Sequence, residues 1–129
     1  MAFKKQIIIV EDSEIIGQIL HLTIENMGGY EPINFLTAET LLKTLETLQP
    51  KCFILDLHLN AHIKESMSGA NLALKLKMLL PTIPIIMVTG SSDPEQLSEL
   101  QGLPFAEIIH KDAHDVLDQL ELAVEKYTL

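Results

Sequence analysis

The chain has one cysteine and half as many basic as acidic residues, nine against eighteen in 129, for a formal net charge of −9. A lone thiol cannot form an internal disulfide, which points to a reducing, cytoplasmic setting. The acidic balance argues against direct binding to nucleic acid, because such surfaces gather Lys and Arg to neutralise phosphates. No apolar run approaches the ~20 residues of a membrane span, so no membrane partner is expected. Lys4 and Lys5 precede only Ile7 to Val10 before Glu11 intervenes, too short a stretch for a signal sequence. Glycine and proline number six each and nowhere gather into a linker, and there is neither a repeat nor a low-complexity segment. The expectation is a single domain, 1–129, with no output domain attached, large enough to bury roughly two-thirds of the surface its unfolded chain exposes.

What is present is a set of short apolar runs that each stop at polar chemistry. Cys52-Phe53-Ile54-Leu55 meets Asp56 where the run should continue, and a carboxylate there is costly unless it sits at a strand end facing something. Ile7 to Val10 stops at Glu11-Asp12, Ile85 to Val88 at Thr89-Gly90, and Ala106 to Ile109 at His110-Lys111-Asp112. Between the runs lie segments with helical spacing. The first, 14–27, carries Ile15, Ile16, Ile19, Leu20, Thr23 and Met27 on one broad face and ends at Gly28-Gly29. A short strand at 31–35 contains Pro32, which suits a sheet edge. Thr37 is a fitting N-cap for a helix to about residue 48, where Pro50 follows. A loop at 60–68 leads to a helix at 69–80 buried through Leu72, Ala73, Leu76, Leu79 and Leu80. Asp93-Pro94-Glu95-Gln96 opens a short helix at 93–100. The last helix, 113–127, is buried through Val116, Leu120, Ala123, Val124 and Tyr127.

Five strand-helix repeats predict an α/β fold with a parallel, doubly wound sheet, and an edge-like second strand selects the order 2-1-3-4-5. In such a sheet the C-terminal strand ends share one edge, so Glu11, Asp12, Asp56, Thr89 and Lys111 converge. Three carboxylates there repel by ~1–4 kcal/mol per close pair, which either a proton or a cation must relieve, a hard divalent ion with oxygen ligands being the natural answer. Asp56, alone at the central strand's end, is the acid best placed as a nucleophile toward phosphorus, with Lys111 and Thr89 available to its oxygens.

This ordered set of motifs, from Glu11-Asp12 through Asp56 and Thr89-Gly90 to Lys111, resembles the receiver domain of two-component response regulators over essentially the whole chain. The resemblance implies a flavodoxin-like receiver fold in a stand-alone, phosphorelay-type regulator. It implies Asp56 as phosphoacceptor from a histidine kinase or histidine phosphotransfer protein. Mg²⁺ would be held by Glu11, Asp12, Asp56 and the backbone carbonyl of His58. Thr89 and Lys111 would contact the phosphoryl group, and the face of the 93–100 helix, the fifth strand and the last helix would signal to a downstream protein. Its catalytic power would extend only to its own phosphorylation and dephosphorylation.

Three features depart from the family pattern. The segment between Asp56 and Gly69 is about five residues longer and lacks its usual proline. The switch aromatic, three residues before the lysine, is Ile108. Lys111 is followed by Asp112 rather than proline, so a trans bond is expected there. Ile108 and Asp112 keep open a second reading, a receiver-like adaptor that binds its partner constitutively. A third, a phosphatase of the haloacid-dehalogenase type, wants an acid two residues after the nucleophile, where His58 stands. The pairs His58/His62 and His110/His114 have helical spacing, but no Cys or His cluster completes a tetrahedral zinc set.

Overall fold

The structure, a computed structural model, describes residues 3–57, 59, 67–90, 102–103 and 105–129. The expected 93–100 helix, His58, His62 and positions 60–66 of the long loop lie outside the described residues. The elements are β1 (Lys5–Val10), α1 (Glu14–Met27), β2 (Tyr30–Phe35), α2 (Ala38–Thr44), β3 (Pro50–Asp56), α3 (Gly69–Leu79), β4 (Ile85–Thr89), β5 (Glu107–His110) and α4 (Val116–Tyr127). All strands run parallel in the order β2-β1-β3-β4-β5, as the alternation of elements predicted.

Strand alternation divides the core into two layers. Ile8, Val10, Phe53, Leu55 and Met87 face Ala38 and Leu41 of α2 and Leu72, Ala73 and Leu76 of α3. Ile7, Ile9, Cys52, Ile54, Ile86, Val88 and Ile109 face Leu20 and Ile24 of α1 and Leu120, Ala123 and Val124 of α4. With both faces covered, β1, β3 and β4 tolerate unbroken apolar runs, and the polar residues that end them are confined to the strand termini.

Several local expectations are corrected. Helix α1 docks through Gly17, Leu20 and Ile24, with Ile16 and Met27 of the expected face packed partly buried beside them, while Ile15 is 76% and Ile19 46% exposed. Gly17 lets the helix backbone approach β2 closely, and this close approach goes with a rotation of the buried stripe away from Ile15 and Ile19. In α3, Leu79 is half-exposed because the helix ends there, while Leu80 turns back with its N–H donating to Leu76 O at 2.7 Å. Helix α2 gives way after Thr44 to a single 3₁₀ turn, Leu45–Thr47, so the expected helix to residue 48 is shorter and tighter at its end. The last helix begins at Val116, three residues later than its spacing suggested. Gly28 and Gly29 do end α1, with φ of 78° and 85° that side chains rarely adopt.

Candidate functional site

Two strands, β1 and β3, deliver three acids to the C-terminal edge of the sheet. Glu11 continues β1 by donating its N–H to Phe35 O at 3.1 Å, and its Oε2 accepts from Ser13 N at 3.2 Å. Ser13 in turn caps α1, its Oγ accepting from Ile16 N at 3.3 Å. Glu11 is thereby fixed between a strand end and a helix start, almost wholly buried, with half-buried Asp12 beside it. Asp56 ends β3, buried, in register with Val88 of β4. One carboxylate oxygen from each of Glu11, Asp12 and Asp56 falls within 4.8 Å of the others.

Behind β3 stands Gly69. A Cβ at this position would lie 2.1 Å from the carbonyl oxygen of Asp56, so only glycine lets α3 start where it does. Its N–H donates to Leu57 O at 3.1 Å, and Ser68 Oγ accepts from Asn71 N at 3.2 Å to cap the helix.

The loop after β5 brings in the cation. Lys111 N donates to Thr89 O at 2.8 Å, tying that loop to β4, and Lys111 Nζ reaches Glu11 Oε1 at 2.8 Å and Asp56 Oδ1 at 3.2 Å. Thr89 is fully buried, whereas Ile108 is 37% exposed on edge strand β5. His110 is half-buried opposite Thr89 and His114 is exposed, and among the described residues neither joins a metal-ligating group. No peptide bond among the described residues is cis, in keeping with the expectation for Lys111-Asp112.

Burial pushes the Glu11 carboxyl up to about 7, with Asp56 adding to the shift and the Lys111 ammonium and Ser13 N–H opposing it. Burial on its own would lower Lys111, but Glu11 and Asp56 outweigh it and hold the ammonium above its ordinary range. Glu11 Oε1 is buried and meets the Lys111 ammonium at 2.8 Å. Three convergent carboxylates are the oxygen donor set that a hard cation takes: Glu11, Asp12 and Asp56 could hold a metal ion.

Residues 7–124 match the profile of the response regulator receiver domain. The chain belongs to that family. This receiver shares 28% identity, at a TM-score of 0.79, with the CheY-like receiver domain protein of Methanospirillum hungatei JF-1, covering 96% of this chain and 94% of that one. It shares 27% identity, at a TM-score of 0.81, with the signal receiver domain of a signal transduction histidine kinase from Syntrophus aciditrophicus, covering 96% and 89% respectively. The isolated receiver domain of RcsB from Salmonella enterica serovar Typhimurium, at 22% identity and a TM-score of 0.81 over 95% of this chain and 89% of that one, shares the fold. No match is found among curated protein sequences. An acid cluster such as Glu11, Asp12 and Asp56 is typical of a receiver's phosphorylation site.

Sequence reasoning named the acids, Thr89 and Lys111, but not how tightly Glu11 is tied to its surroundings. Gly17 and Asn34 border that acid and were not singled out. A glycine inside an otherwise helical pattern was the available signal, since it marks close backbone approach.

Proposed function

We propose that this receiver accepts a phosphoryl group on Asp56 from a phosphohistidine of a histidine kinase or phosphotransfer protein. The reading rests on one observation above all: Lys111 Nζ lies 3.2 Å from Asp56 Oδ1, at the end of a buried strand, beside two further carboxylates. An Asp56 oxygen attacks phosphorus as the P–N bond to the donor imidazole breaks, and the released electron pair takes up a proton on that ring. Glu11, Asp12 and Asp56, with the His58 carbonyl outside the described residues, would hold Mg²⁺. When bound, the ion neutralises charge on the acceptor and phosphoryl oxygens. The Lys111 ammonium sits where it can balance one more phosphoryl charge, and the Thr89 hydroxyl is the expected donor to a phosphoryl oxygen. Hydrolysis of the acyl phosphate returns the resting state, so turnover is confined to the receiver's own phosphorylation and dephosphorylation. The message passes in the cytoplasm by protein contact through β5, α4 and the segment between β4 and β5.

The test is intact mass after incubation with acetyl phosphate and Mg²⁺. A gain of about 80 Da, one phosphoryl group, is expected in wild type and not in Asp56→Ala. No gain, together with no Mg²⁺-dependent stabilisation, would overturn the reading.

A second reading draws on Ile108, an exposed aliphatic side chain where the family places a switch aromatic. It makes the chain a constitutive adaptor, and equal partner affinity for wild type and Asp56→Ala, with or without phosphodonor, would establish it.

A further inference from the structure

Glu11 lies against the first turn of α1 as well as beside Lys111. The point where a Cβ of Gly17 would stand is 3.8 Å from both Cβ and Cγ of Glu11, and 3.3 Å from Asn34 Nδ2. Asn34 Nδ2 donates to Gly17 O at 2.9 Å, which fastens α1 to β2 at this glycine. Because that carbonyl can only accept, the amide must turn Oδ1 the other way, toward His21 Nδ1 at 2.5 Å. His21 Nδ1 is therefore the donor, and its Nε2 lies 3.6 Å from Glu25. Outside this contact opens a cleft of about 590 Å³ whose walls include Glu11, Gly17, His21 and Asn34. A side chain that borders an open cleft can swing into it. The α1 backbone at Gly17, held to β2 by Asn34, packs against Cβ and Cγ of Glu11 and so fixes the stem of that side chain.

We propose that Asn34, oriented by His21, is a positioning residue that holds Glu11 in the acid cluster by clamping α1 to β2 at Gly17. The clamp rests on the reading of Glu11 as a cation ligand. Outer partners of metal ligands are worth about 10- to 100-fold in affinity, and Asn34, one step further out, belongs at the low end.

Isothermal titration of the full chain with Mg²⁺ tests it, the absence of tryptophan making calorimetry preferable to intrinsic fluorescence. Asn34→Leu and His21→Leu each remove the clamp by a different route and should weaken Mg²⁺ binding roughly 10-fold. His21→Asn, whose amide nitrogen superposes on Nδ1, should restore near wild-type affinity. Leu76→Ala, in the core layer on the other face of the sheet from α1, should lower the melting temperature and leave affinity unchanged. Unchanged affinity in the two leucine variants, or an equal loss in Leu76→Ala, would overturn the positioning role. Wild-type protein that binds no Mg²⁺ would instead overturn the reading of the cluster itself.

Discussion

Lys111 serves two carboxylates at once, at 2.8 Å and 3.2 Å, and the nearer is Glu11 rather than Asp56. The sequence showed a lysine after the fifth strand but could not show which acid it meets first, because that depends on the depth of Glu11. Burial sets that depth and gives it a measurable sign. With its carboxyl raised from 4.5 to about 7, the folded protein keeps a proton that the unfolded chain releases. Stability from this group is therefore complete below pH 4.5 and lost as pH rises toward 7, a change on the order of 3 kcal/mol. Urea unfolding of the metal-free protein should show this decline, and Glu11→Gln should flatten it. A cation must displace the same proton, so Mg²⁺ affinity should improve as pH rises through 7, with proton release detectable by calorimetry in buffers of different ionisation enthalpy.

Strands were the most legible elements, because β1, β3 and β4 are covered on both faces and their apolar runs have no solvent side to interrupt them. Their polar terminators then marked the shared edge before any geometry was known. Helix faces were less legible. In α1 the isoleucines outnumber the residues that are buried, and the helix turns toward its smallest member, Gly17, leaving Ile24, absent from the expected face, fully buried. Gly69 shows the same logic at a helix start, and its position after Ser68 gave no hint of a carbonyl 2.1 Å from where a side chain would begin. Gly69→Ala should push α3 off β3, cost about 2–4 kcal/mol in chemical denaturation and strongly reduce Asp56 phosphorylation by acetyl phosphate. Unaltered stability in that variant would mean that the helix can shift freely without disturbing the end of β3.

The parallel arrangement also orders the charges of the entire receiver. Each helix follows a strand, so helix N-termini lie toward the acid-bearing edge, with Glu14, Glu39 and Asp118 in their first turns. Lys43, Lys77 and Lys126 occupy last turns at the other end. These placements complement the helix dipoles and add to the negative potential around the cluster. The fold thus concentrates repulsion where a cation relieves it. At a Mg²⁺ concentration 100 times the dissociation constant, binding should add about 2.7 kcal/mol and raise the melting temperature by roughly 10 °C. Asp56→Ala should blunt that rise. The sodium salt at matched ionic strength is the control, because simple screening of like charges would raise both proteins equally.

Cys52 sits in β3, fully buried in the core layer that α1 and α4 cover, and burial lifts its thiol to about 12. A thiol reagent meets it only when the central sheet opens, and no other sulfhydryl in the chain competes. The protein therefore carries its own timer for global opening: the pace of Cys52 alkylation counts how often the sheet comes apart. Any cysteine introduced on the surface would react long before it, which makes every exposed position available for a single selective label.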